Sequence, residues 1–171
     1  MKIKEYIFSW IQKYNPRTPR YQSYATARSI FLLFESDTAE RNLQIKTLVK
    51  QLKEDGKEVT AWGYVDKKQA ESAVLRDYRI LSQFDYDFWG LPKKEIRQEL
   101  KVKRYDLLID LNMSGCLPLK YLSLYAEADF RTGIESSEPY LNDLMINIKE
   151  ENNPAFLFDQ IIHYLNTIQT C

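Results

Sequence analysis

Two continuous apolar runs constrain this chain more than any other feature. Ile30 to Phe34 is one, and Leu107-Leu108-Ile109, inside Tyr105–Leu111, is the other. A strand with one wet face alternates apolar and polar residues. These runs do not alternate, so both of their faces must be covered. Strands buried on both faces belong to parallel sheets with a helical layer on each side.

The flanking segments agree. Asp37 stands where an N-cap belongs, with Glu40 near the third helical position, close to a capping box. Ile45, Leu48, Val49 and Leu52 then mark one helical face, and Gly56 marks its end. Val59–Val65 reads as a second strand. Asp66 is placed to cap a helix to about Arg76, with Ala70, Ala73 and Val74 inward. Tyr78–Ser82 reads as a third strand. Phe84–Pro92 reads as a loop or an edge strand. Pro92 opens a helix to about Lys103. Leu117–Ala128 reads as a helix, Phe130–Ile134 and Leu144–Ile148 as strands. Asn153-Pro154 starts a last helix carrying Leu157, Ile161, Tyr164, Leu165 and Ile168 on one face. Strands alternating with helices imply βαβ units with right-handed crossovers. The expected fold is α/β, a three-layer, Rossmann-like, mostly parallel sheet with helices on both faces, preceded by an N-terminal helix.

That first helix carries Ile3, Ile7, Trp10 and Tyr14 at helical spacing and stops at Asn15-Pro16. Arg17–Arg28 has no apolar period and reads as a basic linker. Residues 1–28 hold six basic side chains against Glu5 alone, a net charge of +5 in a chain that is neutral overall. The expected organisation is residues 1–28 as helix and linker, and residues 29–171 as a single α/β domain. The helix has three readings: packing on its own domain, swapping onto a second copy, or lying on an anionic membrane surface. No run approaches the length of a membrane span. The N-terminus lacks a signal-peptide core, because Glu5 interrupts it. Two well-separated thiols, Cys116 and Cys171, fit a reducing compartment. A cytoplasmic location is expected.

Scarce residues exclude much chemistry. His163 is the only histidine, so HExxH and two-histidine metal sites cannot be built within the chain. The five glycines include no GxG spacing and no GxxxxGK, so neither the dinucleotide fingerprint nor the Walker A loop is present. No motif implies a cofactor or a metal. The balance of 24 basic and 24 acidic residues argues against general nucleic-acid binding.

In open α/β sheets ligands bind beyond the carboxyl ends of the strands. That directs attention to Glu35, Ser36 and Asp37, to Asp66, to Asp110 and Asn112–Cys116, and to Glu135, Ser136 and Ser137. Asp37 is the candidate catalytic or ligand-binding residue, with Ser36, Asp110 and Ser114 beside it. The competing reading makes Asp37 a helix cap and nothing more. Cys116, next to a helix start, is either a thiol of lowered pKa or a small buried hydrophobe. His163 falls opposite the apolar face of its helix and reads as solvated. Tyr86, Phe88 and Trp89, interleaved with Asp85 and Asp87, are candidate interaction residues together with Trp10. The duller alternative is an edge strand whose Phe84, Tyr86 and Phe88 face the core.

Several stretches carry resemblances. Tyr105-Asp-Leu-Leu-Ile-Asp-Leu111, Ala128-Asp-Phe-Arg-Thr-Gly-Ile134, Asn142-Asp-Leu-Met-Ile146 and the closing helix ending Tyr164-Leu-Asn-Thr-Ile168 resemble an uncharacterised bacterial family of about this length. Residues 29–134 also resemble the N-terminal, Rossmann-like half of heptosyltransferase-type glycosyltransferases. There a Gly-Asp pair follows the first strand and its Asp is associated with acceptor activation. Here Ser36-Asp37 occupies that place, so the Asp matches and the glycine does not. The half that binds the nucleotide sugar in those enzymes has no room in this chain. The leading expectation is therefore a non-catalytic domain acting through contacts with a protein, a second copy or a membrane surface. The alternative is a domain that binds a sugar or nucleotide sugar.

Overall fold

The computed structural model of the protein describes residues 2–66, 78–136, 141–148 and 152–168. Helix α1 (Lys2–Lys13) comes first. It is followed by β1 (Ser29–Glu35), α2 (Ala39–Glu54), β2 (Glu58–Val65) and β3 (Tyr78–Ser82). Then come α3 (Lys94–Val102), β4 (Arg104–Leu111), α4 (Leu117–Tyr125), β5 (Glu127–Ile134), β6 (Leu144–Ile146) and α5 (Pro154–Thr167). The six strands form one sheet in the order β3-β2-β1-β4-β5-β6, and every pair is parallel. This is the Rossmann-like α/β fold, with an N-terminal helix in front.

The central strands show why their sequences are apolar throughout. Ile30, Leu32 and Phe34 face one core, built with Ile45 and Leu52 of α2 and Leu157 and Ile161 of α5. Phe31 and Leu33 face the other, built with Ile96 and Leu100 of α3 and Leu119 and Leu122 of α4. β4 alternates the same way, sending Leu107, Ile109 and Leu111 to the first core and Leu108 to the second. Fully burying one such side chain stabilises by roughly 1.5–3 kcal/mol.

A third cluster attaches α1. Phe8 and Ile11 pack on Tyr121 and Leu124 of α4, with the Phe8 and Tyr121 rings edge to face at 5.2 Å. The Tyr121 hydroxyl donates to the Lys4 carbonyl at 3.2 Å. So α1 packs in cis, and its core-facing residues are not the expected stripe. Ile3, Trp10 and Tyr14 point outward instead. The helix has two apolar faces, and periodicity alone cannot say which one docks.

The polar segment after α1 is held to the sheet. Arg17 pairs with Asp143 at 2.6 Å and donates to the Ala128 and Asp129 carbonyls. The Arg20 amide donates to Asp129, and the Tyr21 hydroxyl to Leu165 and Ile168.

Several boundaries differ from the sequence reading. Thr38, not Asp37, is the N-cap of α2. Its backbone is extended and its Oγ1 accepts from the Arg41 amide at 3.1 Å. The hydroxyl one residue later reaches the free amide, so no capping box with Glu40 forms around Asp37. Pro92 lies outside α3, in an antiparallel bridge with Tyr86. α4 stops at Tyr125 because Glu127 and Ala128 pair with Arg104 and Tyr105 in the ladder. β6 is shorter than expected and ends at Ile146. The helix expected over Asp66–Arg76, Ser137 of the rim and Cys171 fall wholly or mostly outside the described residues.

Gly63 in β2 shows how tightly the sheet is filled. A Cβ there would sit 2.7 Å from two ring atoms of Phe34 and 2.9 Å from Ile80 Cδ1. Phe34 is fully buried and cannot swing away. Gly63→Ala is expected to lower stability by about 1–3 kcal/mol through overpacking. Urea unfolding measures this, and an unchanged midpoint would contradict the packing described.

Candidate functional site

The strand order reverses between β1 and β4. In this fold class that switch point opens a crevice where ligands bind. Its walls are the end of β1 with Glu35, Ser36 and Asp37, and the β4–α4 loop with Asn112 to Cys116. All four sequence-predicted rim residues, Ser36, Asp37, Asp110 and Ser114, lie at this end of the sheet.

One residue closes the crevice. The Glu35 carboxylate is buried and accepts from the Ser114 amide at 2.9 Å and from the Ser114 hydroxyl. Its other oxygen accepts from Arg41 Nη1 at 2.5 Å. Arg41 also reaches Asp37 at 2.7 Å and Asn152 at 3.2 Å. The backbone amide, hydroxyl and guanidinium are the donors a bound phosphate would use. Here an internal carboxylate takes them. A second anion at the same place would meet Glu35, Asp37 and Asp110.

The neighbouring groups are also committed. Ser36 donates to Asn42 Oδ1 at 2.9 Å. Asn112 clamps the loop, its Nδ2 donating to the Cys116 carbonyl at 2.9 Å and its Oδ1 accepting from the Cys116 amide at 2.7 Å. Asp110 accepts from the Asn112 amide at 3.1 Å. Burial pushes its carboxyl up to about 7, and the Glu35 charge adds to that. The Cys116 thiol is likewise pushed up to about 12, chiefly by burial, with Glu35 and Asp110 adding. The reading of Cys116 as a thiol of lowered pKa is therefore corrected. It sits partly buried against the α3/α4 core. Two rim atoms are buried without a hydrogen-bond partner among the described residues, Asp37 Oδ1 and Ser136 Oγ. No three metal-ligating side chains converge among those residues.

The aromatic candidates divide. Tyr86 is inside, its hydroxyl donating to the Pro118 carbonyl at 3.1 Å and its ring edge to face with Tyr64 at 5.6 Å. Phe88 is 85% exposed, and Trp89 and Phe84 are also largely exposed. A 3₁₀ turn at Gln83–Asp85 breaks the strand period, so neither Phe84 nor Phe88 reaches the core. Asp85 accepts from the Ser82 amide and Asp87 from the Trp89 and Leu91 amides. The aspartates shape the turn instead of simply facing water. Trp10 is 56% exposed and lies against Tyr14 at 4.7 Å between ring centroids. His163 is exposed, beside the Tyr164 ring.

Sequence reasoning did not find Arg41 as a partner of the rim acids. The i,i+4 pair Asp37–Arg41 was the available signal. Nothing local marked Asn112 as the clamp of its loop.

The sequence matches the model of a family of unknown function, DUF6913, over residues 2–168. The chain belongs to that family. No curated protein matches the sequence. Among solved structures, this DUF6913 protein is similar to E. coli heptosyltransferase WaaC with ADP, at a TM-score of 0.49 and 14% identity. That alignment covers 79% of this chain and 46% of the other. WaaC with ADP-2-deoxy-2-fluoro heptose gives 0.45 and 12%, covering 81% of this chain and 49% of the other. The DUF6913 chain thus spans about half the length of those enzyme chains.

The Asp110 shift has a consequence for stability. Its folded pKa lies above the unfolded value, so between about pH 4 and 7 the folded state holds the extra proton. The contribution is complete below the unfolded pKa and is lost as pH rises through about 7. Asp110→Asn removes this dependence. Urea midpoints of wild type minus variant are expected to fall from pH 5 to pH 8, and a difference flat with pH would contradict the buried carboxyl.

Proposed function

We propose that this protein is a non-catalytic α/β domain that works by binding another protein. Its contact surface is the outer face of α1 together with the Phe84–Trp89 turn. One observation carries this reading. α1 buries Phe8 and Ile11 against its own domain and still presents Ile3, Tyr6, Trp10 and Tyr14 to solvent, at spacings of three, four and four. Buried apolar residues need no further explanation, but an exposed apolar and aromatic row of this length does. Trp and Tyr supply much of the binding energy in protein interfaces. The turn bearing Phe88 and Trp89 meets α1 where Gly90 approaches the Lys4 side chain. Lys13 lies exposed at the end of α1, so the complementary partner surface is apolar with carboxylates at its border. The filled crevice at Glu35 supports the non-catalytic part of the reading.

A second reading rests on Asp37 Oδ1, a rim acceptor without a partner among the described residues. A sugar hydroxyl could donate to it. That reading expects a nucleotide sugar or simple sugar to raise the melting midpoint of the wild type and not of Asp37→Ala.

The first reading is tested with Trp10→Ala and Phe88→Ala. Both residues lie outside the three cores, so stability should change by no more than about 0.5 kcal/mol. Affinity for the partner identified by cross-linking at position 6 should fall by about 2 kcal/mol or more, roughly thirtyfold. Equal binding by the variants contradicts the proposal. So does flotation on anionic liposomes that Trp10→Ala abolishes, which would give the surface to a membrane. Turnover of a nucleotide sugar by the purified protein would also overturn it.

A further inference from the structure

The opposite end of the sheet holds a pocket of about 450 Å³. It lies between residues 15–20, the amino ends of β4 and β5, and the carboxyl ends of α3 and α4. Its volume is within the range of small-ligand sites. Arg17, Arg20, Lys101, Arg104 and Arg131 line it, against Glu127 as the lone carboxylate of the lining. In a chain with no net charge, this is a strong local concentration of cations.

The five do not have equal tasks. Arg17 is tied to Asp143, and Arg104 is tied to Asp129 at 2.5 Å. Those pairs fix two guanidinium groups at the wall. Arg20 and Lys101 have no ion pair among the described residues. Arg131 is the informative one. It is only 5% exposed, and its Nη2 donates to the Leu124 and Ala126 carbonyls at 3.3 and 2.8 Å. Its Nε is buried and has no partner among the described residues. A buried cation with an unused donor is costly unless something negative meets it. Burial, with the Arg17 charge adding, pulls its pKa down to about 10. The pocket is short of negative charge.

A second cavity, of about 300 Å³, shares Lys101 and Tyr125 with the first and adds Lys94 and Arg97. The Arg97 guanidinium lies over the Tyr125 ring at 5.7 Å. Its Nε is also buried without a partner among the described residues. The two unused guanidinium donors thus belong to side chains that line cavities sharing Tyr125. Arginine forks suit phosphate oxygens.

We propose that the arginine-rich cavity binds a small organic molecule carrying two phosphate groups, which meet Arg131, Arg20 and Lys101, while the second, largely apolar cavity takes part of its body. The body of the molecule lies across Tyr125. The site is separate from the crevice at Glu35, so a ligand here needs no displacement of the internal carboxylate.

Calorimetric titration of the full chain at physiological salt tests this, with fructose 1,6-bisphosphate, inorganic pyrophosphate and inorganic phosphate as probes. At least one of the two bisphosphorylated probes is expected to bind saturably and one to one, at least about tenfold tighter than inorganic phosphate. The double variant Arg20→Ala/Lys101→Ala removes the two lining cations that make no ion pair among the described residues. It should keep its circular dichroism and melting midpoint and lose at least about tenfold in affinity. Asp37→Ala should bind as wild type. Absence of binding by both bisphosphorylated probes at millimolar concentration overturns the proposal. Affinity for inorganic phosphate equal to theirs overturns the two-phosphate assignment, and undiminished binding by the double variant overturns the location. Single-stranded RNA bound in place of the small probes would assign the surface to nucleic acid instead.

Discussion

Glu35 ends β1 at the place where β1 and β4 diverge, and its two oxygens tie three separate pieces of chain together. One takes the amide and hydroxyl of Ser114 from the β4–α4 loop. The other takes Arg41 from the first turn of α2. A carboxylate out of water needs such partners, since an unpaired buried charge costs several kcal/mol. The same contacts determine what this end of the sheet can accept. The fold offers donors for an anion at its switch point, and the sequence supplies that anion from within. With Asp37 close by as well, two carboxylates share the Arg41 cation and the crevice is largely satisfied. The pocket rich in arginine lies at the other end of the same strands.

The central strands were legible because burial on both faces leaves a trace in the sequence itself. Ile30–Phe34 has no alternation because neighbouring residues enter different cores, and the structure places them in that way. The start of α5 at Asn153-Pro154 was legible from the local residue types, and Asn153 caps it by accepting from the Ala155 amide. Misreadings arose where two local solutions compete. Asp37 and Thr38 are both good caps, and only the path of the backbone decides for Thr38. α4 ends early because ladder pairing with β4 claims Glu127 and Ala128, and no helical period reveals a neighbouring strand.

The site residues were legible in part. The rule that ligands lie beyond the carboxyl ends of parallel strands brought Ser36, Asp37, Asp110 and Ser114 to one place. It could not say that Glu35 already serves their donors. The basic pocket was beyond local reading. Its cations come from positions 17, 20, 101, 104 and 131, and only the topology collects them. The +5 charge of the first 28 residues was visible, but its effect was not. Arg17 spends its charge on Asp143, while Arg20 remains free of ion pairs among the described residues. The outward row on α1 was half visible. Trp10 and Tyr14 share a helical spacing with Ile7, which the structure turns toward the domain.

The protein's own Glu35 carboxylate occupies the switch-point crevice. Amide-resolved NMR of the wild type and of Glu35→Ala, each titrated with ADP, addresses it directly. A crevice filled from within gives no saturable shift of the Ser36 or Ser114 amides in the wild type, and a saturable shift of the Ser114 amide once Glu35 is gone. A saturable Ser114 shift already present in the wild type would contradict it.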